Sequence, residues 1–194
     1  MQQPTSRQLY AYWDRVRNGR LAPRRCEIEP AKISTLLPEV FIAERTGDCG
    51  CRFRLAGTRI CQQFGRELRD TDLLGLWEND DREALADLLR AVFADAIVGH
   101  GRFRAYARGD RHVSFEFLLL PLILRSRTVN RLLGAITAIE PPFWLGTEPL
   151  LRQQLVELDV HRPDAALSLV RRPGAQVIYL AGRRFRGAER SRAQ

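Results

Sequence analysis

Phe103-Arg104-Ala105-Tyr106-Ala107-Arg108-Gly109-Asp110-Arg111-His112-Val113-Ser114-Phe115-Glu116-Phe117-Leu118-Leu119 decides the architecture of this chain, because its apolar residues recur with a period of two. Phe103, Ala105 and Ala107 share one face of an extended strand, and Val113, Phe115, Phe117 and Leu119 share one face of the next. Arg108-Gly109-Asp110-Arg111 supplies the turn between them, so the pair reads as an antiparallel hairpin. A third strand is expected over 132–139, and Pro141-Pro142 closes the core.

Upstream, Asp80 and Glu83 have capping-box spacing and open a helix whose Leu85, Leu88, Leu89, Val92, Ala96 and Ile97 form one stripe, with Gly99-His100-Gly101 expected to end it. The stretch 58–77, interrupted by Gly65 and Gly75, reads as several short helices. Before it, 51–57 alternates strictly and pairs with an expected strand at 40–44 through Thr46-Gly47-Asp48. Pro30 starts a short helix with Ile33, Leu36 and Leu37 inward, ended by Pro38. Near the start, Thr5 and Gln8 are spaced for a capping box, and Leu9, Tyr12, Trp13 and Val16 recur at helical spacing before Asn18-Gly19.

The order is two strands, short helices, one longer helix and three strands. Tight connections make sequential strands antiparallel, so the expected class is α+β, a five-stranded antiparallel sheet with helices on one face. The expected organisation is an amphipathic helix at 1–22, a core at 23–142 and a basic, partly disordered extension at 143–194. In that extension, 148–158 is read as a helix carrying Leu151, Leu155 and Leu158, and 177–181 as one more strand. Disorder is expected from about Arg183.

The chain has 194 residues and 45% hydrophobic content, enough for one core with appendages. No apolar run is long enough to cross a bilayer and no export signal is readable, so the expectation is a cytoplasmic protein with reduced cysteines. The formal net charge is +8, and every basic residue except Lys32 is arginine. Cationic density is highest towards the end, at Arg171-Arg172 and Arg183-Arg184-Phe185-Arg186. Such a segment suits an acidic protein, a nucleic acid or an anionic surface, and charge alone does not choose among them.

Glu27-Ile28-Glu29-Pro30, Leu36-Leu37-Pro38-Glu39-Val40-Phe41-Ile42, Phe53-Arg54-Leu55-Ala56-Gly57-Thr58 and Gly65-Arg66-Glu67-Leu68 together resemble a stand-alone bacterial PAS-domain family, of alphaproteobacterial type and largely uncharacterised. The resemblance covers about residues 7 to 140. It implies the five-stranded sheet, an internal ligand cavity and signalling by association, and it implies no catalytic residues. A glycine usually follows the Gly-x-Glu-Leu segment in that family, whereas this chain has Asp70.

In such a fold Phe64, Trp77, Phe93, Phe103, Phe115 and Phe117 are the candidate lining of a cavity for a small hydrophobic ligand, against the plainer reading of a solid core. Leu9, Tyr12, Trp13 and Val16 are the candidate interaction stripe for a partner protein or a homodimer, against the reading that the helix covers its own sheet. Arg171, Arg172, Arg183, Arg184 and Arg186 carry the alternative of nucleic-acid binding, with Phe185 able to stack on a base.

Cys51-Arg52-Phe53 is superficially like a flavin-photoreceptor motif but opens a strand instead of lying on a helix. Cys49 and Cys51, with Cys61 or Cys26, lack the usual zinc spacing. His100, His112 and His161 stand apart in sequence, each a candidate haem ligand set against a plain surface histidine. No triad or phosphate loop is readable, so no metal site, cofactor or catalysis is strongly indicated. The expected function is a PAS-type sensory or regulatory module working by protein association.

Overall fold

The computed structural model describes residues 1–47, 50–109, 111–124, 128–163, 177–180 and 183–186, the last two by their backbone. Its elements are α1 (Pro4–Arg17), β1 (Val40–Thr46), β2 (Gly50–Ala56), α2 (Thr58–Phe64), α3 (Asn79–Asp95), β3 (Val98–Tyr106), β4 (His112–Ile123), β5 (Val129–Ile139), β6 (Arg152–His161), β7 (Val177–Leu180) and β8 (Arg183–Arg186), with short 3-10 turns between. Six strands form one sheet in the order β2-β1-β5-β4-β3-β6, and β7 pairs separately with β8. All the pairings are antiparallel.

β4 is buried from Phe115 to Leu122, on both faces. Such a strand needs cover above and below, and the helices divide accordingly. A Cβ on Gly99 would meet Leu88 and Val92 of α3, so α3 covers the face shared by Gly99, Gly101 and Phe103. Glu116, paired with Arg102, faces the other way, and its buried carboxylate accepts backbone N–H groups of Gln2 and Gln3 at 2.6 and 3.1 Å. The start of α1 is thereby fixed over β4, and its Trp13 indole donates to the Pro121 carbonyl at 2.9 Å.

Several local expectations change. α1 begins from Gln3 without a side-chain cap, and the Thr5 hydroxyl donates to Glu39 at 2.6 Å instead of serving a box with Gln8. α3 likewise starts without the Asp80/Glu83 box, with Glu78 at its N-cap position. Its end is Ala96 in the left-handed region, and Gly99-His100-Gly101 belongs to β3. Asn18, left-handed at φ 48, does stop α1. Asp70 sits at φ 64, a backbone that favours glycine, which is the residue the resembled family usually carries near this point.

The largest correction concerns 148–158, expected as a helix. Residues 140–151 form a strap that leaves β5, places Trp144 and Leu150 in the core and passes the end of α2, and β6 then pairs along β3. The sheet therefore has six strands where five were expected. β8 also gives Arg183–Arg186 strand structure where disorder was expected.

Gly134 on β5 lies beneath the Phe41 ring of β1, and a Cβ there would overlap that ring. Gly134→Ala is expected to cost about 2–3 kcal/mol by overpacking. In a Phe41→Ala background the added methyl should cost under about 1 kcal/mol. Urea titrations giving the same penalty in both backgrounds would show that the ring is not the obstacle.

Candidate functional site

The sequence-derived cavity residues are all buried. Phe103 stacks on Phe115 with centroids 4.9 Å apart, Trp77 meets Phe103 edge-on at 5.0 Å, and Phe117 lies 6.3 Å from Phe103. This is ring-on-ring packing of the kind that fills a core. Phe93 lies elsewhere on α3, with the Arg45 guanidinium 5.6 Å from its ring centre. Of the six, Phe64 lines a cleft beside the end of α2.

That cleft has a volume of about 290 Å³ and is built from three separated stretches of chain. The end of α2 gives Phe64 and Arg66, the turn before α3 gives Gly75, Leu76 and Glu78, and the strap with the start of β6 gives residues 149–153. Two backbone bonds hold the strap in place, Leu150 N–H to the Gln63 carbonyl at 3.0 Å and Leu151 N–H to the Tyr106 carbonyl at 2.8 Å. Gly65, at φ 64, packs under Pro149, where a Cβ would come within 2.7 Å of the proline ring.

The other face of the β3–β6 pair is polar. Arg102 bonds Glu157, Tyr106 donates to Gln154 at 3.0 Å, and the Arg152 guanidinium sits 4.1 Å above the Tyr106 ring. His100 and His161, far apart in sequence, come to 5.9 Å between ring centres, with Tyr10 of α1 5.4 Å from His161. His100 Nε2 is 3.5 Å from the Asp159 carboxylate, whereas His161 Nε2 is buried without a hydrogen-bond partner. Burial pushes His161 down to about 4, helped by His100, and burial lowers His100 as well.

Leu9, Tyr12 and Trp13 point into the core and Val16 is half-buried, so the stripe expected as an exposed interaction surface covers the molecule's own sheet. The Tyr12 hydroxyl is spent on the Glu29 N–H at 2.8 Å. Cys51 is buried on β2, its thiol pushed up to about 12 by burial, which suits packing and not reactivity. Cys49 lies outside the described residues, as do Arg171 and Arg172; Arg183, Arg184 and Arg186 share β8. Among the described residues no group of three or more His, Cys, Asp or Glu side chains could hold a metal ion, and no helix is long and apolar enough to cross a membrane.

Sequence reasoning missed the cleft and the histidine pair. The signal for the histidine pair is the register of β6 on β3, and the leucines of β6 stand at helical spacing.

A long sheet with short helices and α3 on one face, and an entry helix on the other, defines a sensory fold. The chain belongs to the PAS domain family: the family model described as PAS domain matches residues 1–137, from α1 into β5. Its class is that of sensory and regulatory modules. No curated protein matches the chain.

The histidine pair sets a pH dependence. A group whose folded pKa lies below its unfolded value favours the folded state fully above the unfolded pKa, and that stability is lost as pH falls towards the folded pKa. Unfolding stability should therefore hold above pH 6.5 and decline towards about pH 4 for His161. His161→Gln should flatten this part of the profile, measured as urea midpoints from pH 7.5 to 4.5. An unchanged slope would show that His161 is not the titrating group.

Proposed function

We propose that the chain is a cytoplasmic regulatory module without catalysis of its own, whose output is association with a protein, in the first instance a second copy of itself. The observation that carries this reading is the unequal state of the two sheet edges. Beyond β2 the chain closes its own edge, because Phe53 N–H bonds the Thr71 carbonyl and Asp70 N–H bonds the Phe53 carbonyl. β6, at the opposite end of the order, has no hydrogen-bonded strand beyond it in its sheet among the described residues, although β7 lies beside it.

An edge without a hydrogen-bonded neighbour is a template for pairing, and here it is accompanied by apolar side chains. Val156 on β6 is 55% exposed, Leu151 just before it 60%, and Phe143 on the strap 96%. By contrast, the apolar side of α1 is occupied by the sheet, which moves the expected association surface from α1 to β6. The contacts among Trp77, Phe103 and Phe115 support a packed interior over one lined for a ligand.

Size-exclusion chromatography with light scattering on the full chain should give a dimer at tens of micromolar. Val156→Lys should give a folded monomer, because a charge at an edge opposes strand pairing. A wild-type monomer, or a dimer indifferent to this substitution, would remove β6 self-association.

A second reading, nucleic-acid binding by the tail, is favoured by β8, whose backbone gathers Arg183, Arg184 and Arg186 into one four-residue strand. It predicts duplex DNA binding that weakens steeply with salt and disappears when residues after Gly182 are removed. Equal binding by the full and shortened chains would exclude the tail.

A further inference from the structure

We propose that the sheet face beyond the start of α1, built from β3, β4 and β6, binds single-stranded nucleic acid. This surface is separate from the arginines of β8 and does not require them.

α1 leaves the area uncovered. Glu116 holds the start of the helix and Trp13 reaches Pro121, so α1 runs towards the end of β4, and the stretch from Glu116 back to His112 lies outside its span. Those four residues cover about 13 Å of sheet. The ladders set Tyr106 opposite both His112 and Arg152, and Arg104 opposite both Ser114 and Gln154, so all six side chains share the face of Glu116. Arg104, His112, Arg152 and Gln154 are exposed, and Tyr106 and Ser114 are half-buried.

The charge on this face is positive. Arg102 is matched by Glu157, and the buried carboxylate of Glu116 is taken by two backbone N–H groups. Arg104 and Arg152 have no ion pair among the described residues, whereas Arg20, Arg54, Arg59 and Arg111 do. Glu140, just past the Ile139 that pairs with Ser114, sets one exposed acid against these two arginines. A polyanion fits this balance, and by charge alone an acidic polypeptide fits as well as a phosphate backbone.

The planar groups favour the nucleic acid. The Arg152 guanidinium carbon lies 4.1 Å from the centre of the Tyr106 ring, so one side of the group is against the ring while the exposed side chain offers the other to solvent. The Tyr106 hydroxyl donates to Gln154 at 3.0 Å, which fixes the ring under Arg152. A guanidinium held in this way is a platform for an unpaired base, and His112, 5.8 Å from Tyr106, adds an exposed ring beside it. Arg104, two residues along β3, places a second charge about 7 Å away for the phosphates. Gln154 and Ser114 supply donors and acceptors for base edges. Bases stacked inside a duplex do not present their faces, and an acidic polypeptide has no base to stack, so the partner class is a single strand.

Fluorescence anisotropy of the full chain with a labelled oligothymidylate of about twelve nucleotides tests the proposal, with the matching duplex and polyglutamate as competitors. The single strand should bind, and duplex and polyglutamate should each compete about tenfold more weakly, or worse. Arg104→Gln and Arg152→Gln should each weaken binding about threefold or more and lower the slope of log Kd against log salt by about 0.7. Arg152→Lys keeps the charge and loses the plane, so it should weaken binding about threefold with the slope unchanged. Both positions are exposed, and circular dichroism verifies folding of the variants. The proposal is overturned by no binding at about 100 µM chain, by equal competition from duplex or polyglutamate, by an Arg152→Lys chain that binds as the wild type does, or by indifference to both glutamine substitutions, which would assign any binding to the tail.

Discussion

The two-sided burial of β4 governs the rest of the structure. Phe117-Leu118-Leu119-Leu120-Pro121-Leu122 presents apolar side chains to both faces of the sheet, and leaving either face wet would expose several large side chains at about 1.5–3 kcal/mol each. α3 and its aromatic neighbours cover one side. The other side has to be covered too, and α1 is the element that does it. Its apolar stripe is consumed in that task, with Trp13 hydrogen-bonded to a β4 carbonyl and Glu116 holding the helix start. Glu116 itself is a buried acid made tolerable by those two backbone donors.

Most of the core was legible because its periodicity is largely kept. β1, β4 and β5 alternate or run apolar, the long helix shows its stripe, and Asn18 and Gly65 stand where chain reversal needs a left-handed backbone; β2 alternates only as far as the register shift opposite Ile42 and Ala43, after which Leu55, expected inward with Cys51 and Phe53, is exposed. β6 was illegible for a specific reason. Its pairing with β3 shifts register between Arg102 and Phe103, so Gln153 and Leu155 face α3's side before the bulge, while Leu158 and Val160 do so after it. Inward positions change from odd to even numbers, and the alternation disappears from the sequence. Leu151, Leu155 and Leu158 are left at helical spacing, although Leu151 is mostly exposed.

The candidate sites inherit that illegibility. His100 and His161 meet only because β6 lies on β3 with Asp159 opposite His100. The cleft collects Arg66, Glu78 and Arg152 from three stretches that no local motif connects. The inward aromatics were identifiable as buried from their strand positions. Whether they lined a space or filled it depended on ring geometry, which spacing does not carry.

The matched family stretch ends in β5, and the strap and β6 lie beyond it. β6 is integrated with the matched core, because it shares a ladder with β3, receives Asp81 of α3 at the Leu155 N–H, and sets His161 against Tyr10 of α1. Its two faces have separate work: Gln153 helps to line the cleft on α3's side, and Asp159 and His161 meet the histidine cluster on α1's side. One strand therefore touches the helices on both sides of the sheet and also ends the sheet's strand order. β6 is therefore the element that cleft, helices and sheet edge have in common.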